Sequence, residues 1–360
     1  MIVCVIAALG GMYQWAQPVH AQNGEEGDGE IHTLPVQGNI WMLVGAGGNI
    51  TASIGVDGIL LVDAGNARMS EKVIEALDHL NKLVMATAMP PTPCVGVRCP
   101  LGPGSGGYNQ WGWASPSRDA VISSLAAPKP IRYIVNTSIG SEYTGGNEAV
   151  SSAGETLTGS NVARELGARA AQIWAHDAIL GRMQSDPKIP EGAWPTDTYY
   201  DRLKYKWSES FNGEGIELHH VPAASTDGDT IVFFRYSDVI SAGPIYSTVS
   251  YPEISVDKGG SIQGVIDGLN KIIDLSFPLA RLQGGTYIIP GHGRLSDEGD
   301  VVNYRNMVVK LRDRIQDLAG KGMTLEQVKA AKPTLDYDGQ YGSPNAFIEG
   351  AYRSLKNASK

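Results

Sequence analysis

Between Gly38 and Gly65 three apolar, β-branched runs follow one another: Ile40-Trp-Met-Leu-Val44, Asn49-Ile-Thr-Ala-Ser-Ile54 and Ile59-Leu-Leu-Val62, separated by glycines and an Asp57-Gly58 turn. Short runs punctuated in this way predict a meander of antiparallel strands. The period then changes. From about Ser70 the residues Val73, Leu77, Leu80 and Val84 recur at three-to-four spacing, which predicts an amphipathic helix. Residues 86–118 carry no apolar period and are rich in Pro, Gly, Ser and Trp, which predicts a long inserted loop with Trp111 and Trp113 near its tip. Loops of that length are commonly functional, and a flap that covers core surface is the other reading.

Strand signals return at Ile131-Arg-Tyr-Ile-Val-Asn136 and Ala171-Gln-Ile-Trp-Ala-His176, with a helix expected around 161–166 between them. The second half repeats the alternation. Strands are expected at 216–220, 230–235, 239–242 and 286–289, and helices at 262–275 and 301–318. Within the last of these Val301, Tyr304, Val308, Leu311 and Ile315 share a face, and Thr324-x-x-Gln327 has the form of a capping box. Two β-rich halves with helices outside predict an α/β protein with a four-layer αββα sandwich, folded as one domain.

Composition narrows the partners. The 360 residues are 42% hydrophobic, enough for an ordinary globular core, and the net charge of -9 comes without any basic run of the kind that grips phosphates. Nucleic acid is therefore excluded, and a small molecule or a protein is expected. The first nine residues are apolar and Val19-His-Ala21 resembles a cleavage site, so residues 1–21 are expected to be an export signal, followed by a flexible acidic segment over 22–34. A membrane anchor or an N-terminal strand is the alternative, but the run is too short to span a bilayer, so no stable membrane insertion is expected after cleavage. No Lys or Arg precedes the run, a departure from the usual signal pattern. The expected location is secreted or periplasmic. There, Cys94 and Cys99 would form a local disulfide contributing roughly 2 kcal/mol. No further Cys or His lies nearby at zinc-knuckle spacing.

Five ordered signatures carry a resemblance. They are Leu60-Leu-Val-Asp-Ala-Gly65, Ile134-Val-Asn-Thr137 followed by Thr144-Gly-Gly-Asn147, Pro222-Ala-Ala-Ser-Thr-Asp-Gly-Asp229, Asp238-Val-Ile-Ser-Ala-Gly243, and Ile289-Pro-Gly-His-Gly293. In this order they closely resemble the metallo-β-lactamase superfamily, especially its secreted bacterial hydrolase-like members, over roughly residues 35–355. The resemblance implies the αββα fold, and in the family an H-x-H-x-D-H segment helps hold two zinc ions. Here that segment reads Ser138-Ile-Gly-Ser-Glu-Tyr143. Ser138, Gly140, Glu142 and Tyr143 stand at its ligand positions, Ser225 replaces the next His, and Pro244 replaces the bridging Asp. Of these seven positions only His292 keeps its residue type. Zinc needs three or four N, O or S donors, so the chain is expected to bind none, with a weak remnant site of Glu142, Tyr143 and His292 as the alternative. The family's zinc-activated hydroxide would then be missing.

The remaining motif residues read as structural. The family uses an aspartate at the position of Asp63 to orient a zinc-binding His; with no such His, Asp63 is expected to bond to backbone at its strand end. Asp227 and Asp229 flank Gly228 as turn formers. His176, His219 and His220 are expected to be packed or surface histidines. Two functions follow. The first is a non-catalytic descendant that binds a ligand or protein in the old cleft or on the loop, with Trp111, Trp113, Asp63 and Asp227 as binding candidates. The second is a metal-independent hydrolase of esters, lactones or β-lactams. In it Ser138 or Ser225 would act with His292, oriented by Glu142 or Asp227, and Tyr143 would serve as acid or oxyanion donor. No G-x-S-x-G elbow surrounds either serine, and the first reading is the expected one.

Overall fold

The computed structural model describes residues 29–87, 129–155, 170–200, 205–206, 211–278 and 285–358. The expected signal segment, Cys94, Cys99, Trp111, Trp113 and the helix near 161–166 lie outside them.

The first sheet contains, in spatial order, β1 (His32–Gln37), β2 (Ile40–Ala46), β3 (Gly48–Gly55), β4 (Gly58–Val62), β5 (Ile131–Val135), β6 (Gln172–His176) and β7 (Asp197–Tyr199). Pairing is antiparallel from β1 to β4 and parallel from β4 to β7. Connection length explains the switch: tight turns join the first four strands, whereas α1 (Ser70–Thr87) begins the crossover from β4 to β5. The second sheet contains β8 (Tyr205–Lys206), β9 (Ile216–Val221), β10 (Asp229–Phe234), β11 (Val239–Ser241) and β12 (Tyr287–Ile289), in the order β12-β11-β10-β9-β8.

Short helices α2 (Ser141–Thr144), α3 (Asn147–Ser152) and α4 (Asp177–Ser185) follow strands of the first sheet. Beyond the second sheet come α5 (Ile262–Leu275), α6 (Glu298–Gly320), α7 (Leu325–Ala330), α8 (Asp338–Tyr341) and α9 (Asn345–Ala358). Three apolar cores separate four layers. Leu43, Ile54, Leu61, Val73, Leu77 and Val150 pack α1 and α3 on the first sheet. Met42, Leu60, Val62, Leu218, Val232 and Phe234 fill the space between the sheets. Ile231, Ile240, Leu269, Leu311 and Phe347 join the second sheet to α5, α6 and α9. Leu60 and Leu61 point to different cores because strand side chains alternate. Strand β4 is buried on both faces, which is why it reads as a continuous apolar run.

Several boundaries differ from expectation. Strand β1 begins at His32, inside the stretch expected to be flexible; it is mostly exposed and is held as an edge strand by main-chain pairing to β2. Helix α1 runs to Thr87, so it takes the first two residues of the expected loop. Helix α6 starts a turn early because Asp297 and Asp300 form a reciprocal capping box. The Thr324 box opens α7 as expected. Helices α2, α3, α4, α8 and α9 and strands β7 and β8 are additional to the expected elements.

Asn212 joins the two sheets at the end remote from the motif loops. It sits at φ 54° ahead of Gly213 at φ 78°, left-handed backbone that asparagine tolerates. Its N–H donates to Asp57 Oδ2 at 2.7 Å, its Oδ1 accepts from Asp57 N at 2.9 Å, and its Nδ2 donates to Gly58 O at 3.0 Å. Asn212→Ala removes the side-chain bonds and disfavours the turn. It is expected to lower stability by about 2 kcal/mol, and an unmoved urea midpoint would contradict that role.

Candidate functional site

The motif residues gather where β4, β5, β11 and β12 end and β10 begins. Directly after β4, Asp63 is buried at φ 67°. Its carboxylate accepts from Thr137 N and from Thr137 Oγ1, both at 2.7 Å. Thr137 in turn accepts from Thr230 N at 2.9 Å, so Asp63 fixes the bridge between the sheets. Burial pushes Asp63 up to about 8, against the lowering effect of the two Thr137 bonds.

Ser138, the next residue, is also buried, and its hydroxyl donates to Asp229 Oδ1 at 2.6 Å. Asp229 accepts three further bonds, from Thr226 Oγ1 at 2.6 Å, from Thr226 N at 2.7 Å and from the Ser225 backbone. Burial still raises it to about 6. The Ser138 hydroxyl and the Ser225 backbone N–H therefore converge on one carboxylate that the sequence presents only as a turn former. A signal for it existed: Asp229 opens the apolar run Thr230-Ile-Val-Phe-Phe234, and a carboxylate entering a buried strand must find donors.

A second group forms beside the first. A Cβ at Gly140 would lie 2.7 Å from Glu142 Oε1 and 2.9 Å from Oε2, so the missing side chain is what lets the Glu142 carboxylate fold over this position. Tyr143 is 3% exposed, and its hydroxyl lies 2.9 Å from where a Cβ on Gly291 would stand. Its ring meets His292 edge-on at 6.2 Å between centroids. Burial lowers His292, while Glu142, Glu253 and a hydrogen bond to the Gly47 backbone oppose that shift. Burial, Glu142 and other nearby acids push Tyr143 well above the usual phenol range.

Among the described residues no hydrogen bond joins His292 to Ser138 or Ser225, so the arrangement contains no serine–histidine relay. Asp227 is likewise engaged elsewhere: it binds Arg182 of α4 through two bonds, at 2.8 and 2.5 Å, and its carbonyl accepts from His220 Nε2 at 2.8 Å. His220 stacks on His176 at 3.6 Å, and burial together with His220 pushes His176 down to about 4. His219 is buried against Glu217 at 3.1 Å. Another pair, both members of the ordered signatures but given no role there, is Asn136 with Asn147. Their amides bond reciprocally at 3.0 and 2.8 Å and fix the loop that carries Ser138 to Tyr143.

These side chains do not fit the binuclear zinc centre implied by the motif order. The Ser138 hydroxyl donates its hydrogen bond to Asp229, the side chains of Gly140 and Pro244 have no donor atom for a metal, and Ser225 offers only a hydroxyl. Among the described residues no three His, Cys, Asp or Glu side chains form a group able to hold a metal ion. Nor is any helix among them long and apolar enough to cross a membrane.

No protein-family model matches the chain, and no curated protein matches it by sequence. Solved structures do. The stereoselective inverting sec-alkylsulfatase Pisa1 from a Pseudomonas species is similar over 90% of this chain and 50% of its own, at 13% identity and a TM-score of 0.53. This chain thus spans half the length of that enzyme. A metallo-β-lactamase from Pontibacter korlensis is similar over 78% of this chain and 99% of its own, at 10% identity and a TM-score of 0.46. With two facing sheets, helices on both outer sides and the motif loops gathered at strand ends, and with the alkylsulfatase's likeness over 90% of this chain, the chain has the metallo-β-lactamase fold.

Proposed function

We propose that this protein is an exported, non-catalytic relative of the metallo-hydrolases, whose former metal cleft binds a small molecule without zinc. One observation carries the reading: Ser138, at the first ligand position, is tied at 2.6 Å to Asp229, a buried carboxylate that already holds the neighbouring loop through Thr226 and Ser225. The replacement residues thus form an internal structural network in place of a set of open donors. A metal-independent hydrolase has less support. Among the described residues no hydrogen bond joins His292 to Ser138 or Ser225, Asp227 pairs with Arg182, and the one carboxylate that Ser138 does reach, Asp229, is buried with it and already accepts from Thr226.

The test combines metal content with turnover. Protein purified without chelator is expected to carry well under one zinc per chain by plasma mass spectrometry. An ester, lactone and β-lactam panel is expected to show no hydrolysis above the blank for the wild type. Stoichiometric zinc, or turnover that disappears in Ser138→Ala, Ser225→Ala or His292→Ala, overturns the proposal.

A further inference from the structure

We propose that the stacked imidazoles of His176 and His220 form an acid-released latch, which holds α4 and the end of β6 against the 226–229 turn of the second sheet; this goes beyond the binding function proposed above and does not depend on it. The two rings lie face to face, 3.6 Å apart between centroids and 11° from parallel. His176 ends β6 in the first sheet and His220 lies on β9 in the second, so the stack is a contact across the sandwich. Each ring also makes a hydrogen bond of its own. Ala178 N donates to His176 Nδ1 at 3.3 Å, which makes a neutral imidazole the N-cap of α4. His220 Nε2 donates to the Asp227 carbonyl at 2.8 Å, and its Nδ1 is buried without a partner among the described residues. The rest of the junction is built around these rings. Arg182 of α4 pairs with the Asp227 carboxylate, and a Cβ at Gly228 would stand 2.8 Å from Ile179 Cγ1 and 3.4 Å from Ile179 N, so the turn packs directly on α4. Ala175, Ile179 and Met183 form a small apolar cluster with Ile139, Ile189 and Trp194, separate from the three main cores. An element that rests on its own small core can open while the others stay folded.

Protonation acts on each part of this junction. A proton on His176 Nδ1 turns the acceptor of the Ala178 N–H into a second donor and places positive charge at the positive end of a helix. The charged ring bonds instead to Asp177 Oδ1, which lies 3.4 Å from the same nitrogen, and the cap is lost. A proton on His220 Nδ1 as well leaves two cations in face-to-face contact. The titratable and charged groups that face the stack are Asp177 and Arg182 on α4, Asp227 on the turn, and Tyr199 on β7, whose ring meets His176 edge-on at 5.4 Å. Burial and then His220 hold His176 down at about 4, against the opposing pull of Asp177 and Asp227. The latch is therefore complete above the ordinary histidine value of 6.5 and is lost as pH falls toward 4.

Hydrogen exchange of the full chain tests the latch, read by mass spectrometry at about pH 7.5 and about pH 5 and corrected for the intrinsic pH dependence of amide exchange. Protection across Asp177–Ser185 is expected to fall at least about tenfold at the lower pH, while α5 and α6 keep theirs. His176→Asn keeps a capping acceptor and has no proton to gain, so its α4 is expected to be equally protected at both pH values. His220→Gln keeps an N–H for the Asp227 carbonyl but adds no second charge, and is expected to lose less protection than the wild type. Circular dichroism verifies the fold of each variant. The latch is refuted if wild-type α4 keeps its protection in acid, if α5 and α6 lose theirs to the same extent, or if His176→Asn loses as much as the wild type. Should His176→Asn not fold, NMR titration of the His176 ring in the wild type decides. The ring must take up its proton together with the loss of α4 protection, and a ring that titrates while α4 stays protected refutes the proposal.

Discussion

Replacement of Asp229 by alanine is expected to lower the unfolding free energy by about 4 kcal/mol, the largest effect of any single substitution at the site. The carboxylate is fully buried and receives the Ser138 hydroxyl, the Thr226 hydroxyl, and the Thr226 and Ser225 backbone N–H groups. Alanine leaves all four donors inside the protein with nothing to bond. Asp229→Asn retains one carbonyl oxygen and is expected to cost about half as much, and Ser138→Ala, which removes one neutral donor, only about 1 kcal/mol. Urea denaturation of the three variants measures the ranking. An Asp229→Ala variant within about 1 kcal/mol of the wild type, on the scale of an ordinary surface change, would show that the network is not a structural unit.

The second large effect is on pH dependence. Burial places Asp63 at about 8 in the folded protein against 3.8 for an unperturbed aspartate. The folded state therefore keeps a proton that the unfolded chain releases. Its contribution to stability is complete below about pH 4 and is lost as pH rises through about 8. His176, at about 4, and His292, also lowered, act in the opposite sense, with contributions lost as pH falls below the ordinary histidine value of 6.5. Asp229, at about 6, has finished titrating by neutrality. Between about pH 6.5 and 8 Asp63 is then the main group whose protonation differs between the folded and unfolded chain, and stability should fall by roughly 1 kcal/mol per pH unit. Asp63→Asn, neutral throughout and still able to bond Thr137, should flatten that slope. A wild-type melting temperature that rises over this interval would refute the assignment.

Legibility in the sequence followed the physics of each element. The β2–β4 meander and α5 were plain, since Ile262–Leu275 shows its period within its own residues and a side-chain cap at Ser261 starts it. Strand β1 was hidden because an edge strand is stabilised by main-chain bonds that leave little apolar pattern. At the candidate site, motif order singles out Ser138, Glu142, Tyr143, Ser225 and His292, but residue types do not show that Ser138 turns to Asp229 or that Asp227 pairs with Arg182. Those partners come from loops and helices far apart in the chain, and their meeting is a product of the tertiary fold.

The Glu142 carboxylate folded over Gly140 has a consequence for building a metal centre here. A histidine placed at 140 would first have to evict that carboxylate, and one placed at 138 would have to give up the bond to Asp229. Each change alone breaks an existing interaction before any metal can reward it, so their effects are coupled and not additive. A metal site installed at these positions therefore requires several simultaneous changes, and each single substitution toward it meets a barrier.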